Sequence, residues 1–307
     1  MSLDANANRF SGFADLYDTV RPVPPAALAD VITRYSGGRP QLVVDLGCGT
    51  GLSTRWAAGW SSEVIGVEPS ADMRARAAAV TIEDNVRYID GWSSSTSLPA
   101  GSADVVLAVQ ALHWMEPVST FAEAARLLRP GGVFAALDCD WPPSIGNAEA
   151  EQAWHTTRAT VAIHEREIAG WAPRSTSRAA SSSPQTDQLR PIDPDDAAAA
   201  VTITDGVKFW HKGEHLGRMI RSQQFVHCLE IAALGQERGN AGRFVELFKS
   251  QGDYQALRRH GFDDAALGID RFESDVVAAV GTDEFPFWFT YRARIGVRGS
   301  DPSPAGR

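Results

Sequence analysis

The stretch that most limits what this chain can fold into is "LVVDLGCGTGLS", residues 42–53. A short apolar, β-branched run ends in Asp45, and Gly47, Gly49 and Gly51 follow on alternate positions. Apolar runs of this kind suit a parallel strand buried on both faces. In such sheets ligands gather at the carboxyl ends of the strands. Glycines there let a ligand approach the backbone, because no Cβ stands in the way. The spacing D-x-G-x-G-x-G is neither the G-x-G-x-x-G of a dinucleotide loop nor a phosphate loop ending in G-K-[ST]. An acid beside bare backbone, with no lysine after it, suits a zwitterionic amino acid carrying a cationic sulfur better than a pyrophosphate.

The surrounding sequence repeats the pattern. "SEVIGVEPS", "ADVVLAVQ" and "GGVFAALDCD" read as further buried strands, with "LSTRWAAGW", "ADMRARAAAV" and "VSTFAEAARLL" as helices between them. Alternation of strand and helix predicts an open α/β sheet over roughly the first 135–141 residues. After Trp141 the pattern changes. Residues 148–172 read as helix, 174–196 are rich in Ser, Pro and Asp and read as a flexible loop, and helical stretches resume over 213–235 and 240–260. The aromatic, partly alternating "FPFWFTYRARIGVR" is the clearest strand signal and is expected to return to the sheet as an edge strand. The expected division is a core over 1–141, a mainly helical cap over 142–265 and strands over 266–298 completing the sheet. Residues 299–307 read as a disordered tail.

Glu68 ends the second strand, where a carboxylate can accept hydrogen bonds from a ribose diol. With these residues in place, the chain resembles the class I S-adenosylmethionine-dependent methyltransferases, over about residues 10–140. "VVDLGCGTG" resembles their first motif and "VIGVEPSADMRARA" their second; "LPAGSADVVLAVQALHW" and "RLLRPGGVFAALD" resemble the segments that follow. "FSGFADLYDTVRP" is similar to the lead-in of small-molecule members such as the trans-aconitate methyltransferase group. The resemblance implies a Rossmann-like open, mostly parallel sheet with an antiparallel C-terminal edge strand. It implies S-adenosylmethionine as cofactor and Tyr17, Arg21, Asp45, Gly47, Cys48, Gly49, Gly51, Glu68, Pro69, Met73, Trp92, Ser93 and Gln110 as its contacts. Members of the family carry an acid just after the glycine that follows the third strand. Here Trp92 follows Gly91, so either Asp90 or a serine holds the adenine, or Trp92 packs on it.

His113, in "VQALHWMEP", falls at the rim next to the substrate. It is either a general base or a wall of the pocket. Trp114, Trp141, Trp171 and Trp210 are expected to line an acceptor pocket; with Trp154 and Phe225 they read equally as the core of the cap. Asp138 and Asp140 suggest a divalent ion, but with no third ligand apparent the segment reads as a plain loop. His211 and His215 have chelating spacing, again without a further ligand, and read as surface or pocket histidines. No metal is expected. Arg218 and Arg221, on one helix, face either an acidic substrate or solvent, and solvent is the expected assignment. A net charge of -9 and a pI near 5.3 argue against a nucleic-acid partner. Three scattered cysteines and the lack of a long apolar run point to a cytoplasmic protein off the membrane. A homodimer is compatible with the sequence. The expected activity is methyl transfer to a small molecule. The competing readings are a cofactor-binding protein without transfer and a methyltransferase acting on RNA or protein.

Overall fold

A computed structural model describes residues 4–9, 12–168 and 201–299. Trp171, the 174–196 segment and residues 300–307 of the tail lie outside them. The described residues divide into two compact units.

The larger unit comprises the described residues among 10–141, 210–236 and 289–307. Its strands are β1 (Leu42–Leu46), β2 (Glu63–Val67), β3 (Val86–Ile89), β4 (Ala103–Val109) and β5 (Leu128–Cys139), joined by β8 (His227–Gly239) and β9 (Phe285–Val297). They form one seven-stranded sheet in the order β3-β2-β1-β4-β5-β9-β8. The first five are mutually parallel, and β9 runs antiparallel to β5 from Val133–Val297 to Cys139–Tyr291. β1, β2 and β4 carry residues with essentially no exposure, Val43, Val44, Leu46, Val64, Ile65, Val67, Val105, Val106 and Leu107 among them. Such burial is possible only when helices cover both faces, which is why these strands read as unbroken apolar runs. The helices include α2 (Ala14–Val20), α3 (Ala26–Tyr35), α4 (Leu52–Ala58), α5 (Ala71–Val80), α6 (Pro117–Leu127) and α8 (His215–Ser222). α5 starts where Ser70 caps it, its hydroxyl accepting from the Met73 N–H, and Glu116 does the same for α6 through Val118 and Ser119. β1 lies between β2 and β4. The chain winds away from it in both directions, so its carboxyl end opens a crevice.

Two elements differ from the sequence reading. Residues 269–280, expected among the strands of 266–298, form a helix. Residues 227–235 were expected to be helical and instead belong to β8, which takes the outermost place beside β9. The segment "HCLEIAALGQERG" is rich in helix formers. Pairing with β9 supplies a ladder of backbone hydrogen bonds that overrides this weak local preference.

The smaller unit comprises the described residues among 1–9, 142–209 and 237–288. It is mainly helical: α1 (Asp4–Asn8), α7 (Ala148–Ile168), α9 (Ala241–Lys249), α10 (Gly252–Arg259) and α11 (Ile269–Val280), with the short strands β6 (Val201–Thr202) and β7 (Lys208–Phe209). Its core is aromatic. Trp154 lies 5.1 Å from Phe244, 5.0 Å from Phe248 and 6.1 Å from Phe272, ring centroid to centroid. Trp154 is therefore a core residue of this unit.

Candidate active site

The glycine loop leaves β1 and is fastened at once to β2. The N–H groups of Gly47 and Cys48 donate to the Val67 carbonyl at 2.8 and 3.2 Å. The N–H of Gly49 then donates to Glu68 Oε2 at 3.1 Å, and Glu68 Oε1 accepts from the Ser70 N–H at 2.9 Å. One carboxylate thus braces the loop against the start of α5, and Pro69 sits between its two anchors. Met73, expected among the contacts, is buried in the first turn of α5.

The three glycines are needed for different reasons. All have positive φ, +65° at Gly47, +55° at Gly49 and +83° at Gly51. A Cβ at Gly47 would lie 2.5 Å from Met115 Cε, and one at Gly51 would strike the Tyr88 hydroxyl. Those two are demanded by packing. A Cβ at Gly49 would meet nothing within 4 Å. Gly49 is therefore the open backbone of the loop, the place where a ligand can lie against the chain.

Asp45, at the tip of β1, is fully buried. Its Oδ2 accepts from Ser53 Oγ and Thr54 Oγ1, each at 2.7 Å. Its Oδ1 is buried without a hydrogen-bond partner. Burial pushes its pKa up to about 6, against the two hydroxyl bonds and with help from the charge of Glu68. Burial also raises Glu68, while the Ser70 and Gly49 N–H groups oppose the rise. An acid with one unsatisfied oxygen, a braced acid and an open glycine fit a ligand bearing an ammonium group and a diol.

Tyr17, Arg21 and Trp141 come together although they are far apart in sequence. The Arg21 guanidinium lies 4.7 Å from the Tyr17 ring centre and 4.6 Å from that of Trp141, and Trp141 meets Phe289 edge-on. α2, which carries Tyr17, is tied to α4 by Asp18–Arg55 at 2.6 Å. On the β3 side, Trp92 and Ser95 form an isolated two-residue bridge. The Ser93 hydroxyl is buried against that of Thr120 at 2.9 Å. Asp90 is exposed and pairs with Arg74 at 2.7 Å. Trp92 is the half-buried side chain of this set.

At the ends of β4 and β5 the structure corrects several readings. Asp138 is no loop residue: it lies inside β5, 2% exposed. Of the two places expected for His215, surface or pocket, burial excludes the surface, and Arg218, assigned to solvent, is buried, its Nη1 donating to the His211 carbonyl at 2.8 Å. Arg221 is exposed as expected. The third ligand missing from each candidate pair exists: His113, Asp138 and His215 each place one ligand atom within 4.8 Å of the others, while His211 and Asp140 take no part. Two cations already hold the one carboxylate of this set. Arg294 Nη1 lies 2.7 Å from Asp138 Oδ2 and Lys212 Nζ 3.4 Å from Oδ1. A divalent ion would be a third cation on a single buried acid, so charge favours the cluster as it stands. Burial works against the Asp138 charge, but Lys212, then His113 and His215, outweigh it and hold its pKa well below the usual carboxylate range. Burial depresses His215 to about 3, so its imidazole is neutral. His113 is buried with Nδ1 3.3 Å from Asp138 Oδ1, and its carbonyl accepts from the Trp210 N–H at 2.9 Å. Trp114 stacks obliquely on His113, 4.7 Å between centres, and Trp210 is itself buried. Lys212 and Arg294 were not expected here. Arg294 falls on the face of its strand that carries Thr290 and the exposed Arg292, opposite the buried Phe287, Phe289 and Tyr291, so the alternation gave no signal for it.

This geometry has known counterparts. The family described as "Methyltransferase domain" matches residues 44–136. The chain is 32% identical over 124 residues to the probable S-adenosylmethionine-dependent methyltransferase CRG1 of Saccharomyces cerevisiae, covering 39% of this chain and 43% of that protein. Residues 44–136 thus match a methyltransferase domain that S-adenosylmethionine-dependent proteins share. A malonyl-[acyl-carrier protein] O-methyltransferase of Hahella chejuensis is 32% identical to it over 152 residues, 48% of this chain and 53% of that protein. A trans-aconitate 2-methyltransferase of Azoarcus sp. is 35% identical over 117 residues, 36% and 43% of the two chains. The chain thus spans about half the length of the curated relatives it matches. A solved structure from Anaeromyxobacter dehalogenans, named as a candidate type II methyltransferase, shares the fold with a TM-score of 0.58. It is 21% identical, and the match covers 92% of this chain and 99% of that one. Every motif of the methyltransferase domain, from the Asp45 loop to β5, lies in the larger unit. Among the described residues no helix is long and apolar enough to cross a membrane.

Proposed function

We propose that the chain transfers a methyl group from S-adenosylmethionine to a small molecule. The observation that carries this reading is the pairing at the tips of β1 and β2: Gly49 with open space above it, hydrogen-bonded through its N–H to Glu68. Asp45, Gly47, Cys48, Gly49 and Gly51 form the cradle for the amino-acid end of the cofactor. Glu68 takes the ribose, with Pro69 and Met73 setting its position. Trp92 packs against the adenine, and Ser93 shapes that wall through Thr120. Tyr17 and Arg21 close the methionine end, and Gln110 faces it from β4.

S-adenosylmethionine supplies an electrophilic methyl group on a sulfonium. What remains for the protein is alignment, since holding a nucleophile on the methyl–sulfur axis provides much of the rate of such a displacement. The resemblance implies that Trp114, Trp141 and Trp210 shape the acceptor side, and Trp141 supports Arg21 directly. His113 is a wall of this site that can also take a proton. With the Nδ1 proton directed at Asp138, Nε2 is left as the basic atom.

The reading is tested by calorimetry with S-adenosylhomocysteine and NAD. The wild type should bind the former and ignore the latter. Glu68→Ala should weaken binding tenfold or more, because bonds to a charged acceptor contribute ~1.5–3 kcal/mol. Unchanged affinity in Glu68→Ala would remove the site. Transfer itself is checked by a single turnover with labelled cofactor and a metabolite extract.

A further inference from the structure

We propose that this chain holds the purine of its cofactor by stacking on Trp92 and leaves the 6-amino group unread, so that a nucleoside lacking that amine is taken as readily as one bearing it. The inference rests on the methyltransferase reading above and widens the class of cofactor that the site admits.

The place of the base follows from the backbone. Glu68, assigned to the ribose, donates its N–H to the Ile89 carbonyl at 3.2 Å, so the chain leaving β3 runs beside the sugar. A Cβ at Gly91 would lie 2.9 Å from Val67 Cγ1; the glycine lets the chain come in close against the tip of β2. The next residue is Trp92. Its N–H and carbonyl are both taken by Ser95, at 3.2 and 2.9 Å, which leaves the side chain to meet a ligand. The turn is fastened to one face of α6, at Thr120 and Glu123. Ser93 Oγ lies 2.9 Å from Thr120 Oγ1. Glu123 Oε1 accepts from the Thr96 N–H and hydroxyl at 2.9 and 2.6 Å. The half-buried indole is therefore presented on a fixed support.

Reading an exocyclic amine requires a hydrogen-bond acceptor, and an indole only donates. The two acids that flank the turn are engaged elsewhere. The Asp90 side chain is 75% exposed and pairs with Arg74 at 2.7 Å. Glu123 accepts from Arg126 on both oxygens, Nε to Oε2 at 2.6 Å and Nη2 to Oε1 at 2.7 Å, in addition to Thr96. The Ser93 and Thr120 hydroxyls are buried and bonded to each other. What this wall offers a purine is the face of a ring. Stacking tolerates any base, because every base has a π-face.

The test is calorimetry on the full chain with S-adenosylhomocysteine and its 6-deamino analogue, in which hydrogen replaces the amine. Wild type should bind the two with Kd values within about threefold of each other. A charged acceptor on the amine would instead separate them by about tenfold or more. Trp92→Ala should weaken both together, by about tenfold or more, the contribution of one stacked base. Trp92→Phe should recover part of that loss for both ligands. A wild-type preference for the amine above about threefold overturns the proposal and leaves the methyltransferase reading standing. A Trp92→Ala variant that is folded by circular dichroism and binds both ligands as wild type does removes Trp92 from the site. Failure of the wild type to bind S-adenosylhomocysteine at all overturns both readings. The comparison of the two ligands uses wild-type protein and decides the matter even if a variant fails to fold.

Discussion

Replacing Asp45 with Asn should make the protein more stable and less able to bind its cofactor, and the gain in stability should depend on pH. Asp45 is fully buried, and its pKa rises from 3.8 to about 6, chiefly because burial opposes its charge. Between these two values the folded chain holds a proton that the unfolded chain has lost. Stability therefore declines as pH rises through that window. The cost is ~3 kcal/mol at pH 7 and falls to roughly half of that at pH 5. Asn removes the ionisation while its oxygen can still accept from Ser53 and Thr54. Its amide nitrogen would occupy the place of the partnerless Oδ1 and go unsatisfied, costing ~1 kcal/mol. The net gain expected for Asp45→Asn is then ~2 kcal/mol at pH 7, shrinking by roughly 1 kcal/mol at pH 5. Urea unfolding of both proteins at the two pH values measures it. A variant that is no more stable at pH 7 than at pH 5, relative to wild type, would refute the claim that this carboxylate is charged at a cost. The same charge should serve binding. Wild-type affinity for S-adenosylhomocysteine should fall as pH drops through about 6, where Asp45 protonates, and the variant should bind weakly with no such dependence.

Gly49→Val should abolish cofactor binding; a Cβ meets no atom there, but φ +55° strains any side chain, so a folded circular dichroism spectrum with a lowered melting temperature is expected, and normal binding would dissociate the loop from the ligand. Trp154→Ala should destabilise the helical unit by roughly 3–5 kcal/mol, as truncation of a buried aromatic does. Urea titration monitors that loss, and cofactor affinity should not follow it. Arg294→Met removes the closest cation from Asp138 and breaks a second contact, to Glu230 at 2.6 Å. Asp138 keeps Lys212 at 3.4 Å and Glu230 keeps Arg292 at 3.6 Å, but losing the closest cation of a buried pair should still cost roughly 3 kcal/mol; a loss below 1 kcal/mol would mean that Lys212 and the histidines hold Asp138 unaided.

The sequence by itself determined four of the five parallel strands, the glycine loop and the acids at Asp45 and Glu68. Each is a local matter. A strand buried on both faces must be written as an apolar run, and a backbone with positive φ must be written as glycine. Even there the sequence did not separate the three glycines. That Gly47 and Gly51 answer to Met115 and Tyr88, and Gly49 to open space, depends on what packs against them. β8 was unreadable because its residues favour helix and only β9 beside it makes them a strand. The cluster on Asp138 was hidden for the same reason. His113, the stretch from Lys212 to His215 and Arg294 belong to three separate segments, and no spacing along the chain records that they share one carboxylate. Chain-distant contacts carry no periodicity. Only the folded sheet, bringing the end of β4 to the end of β5 and α8 to both, made these charges neighbours.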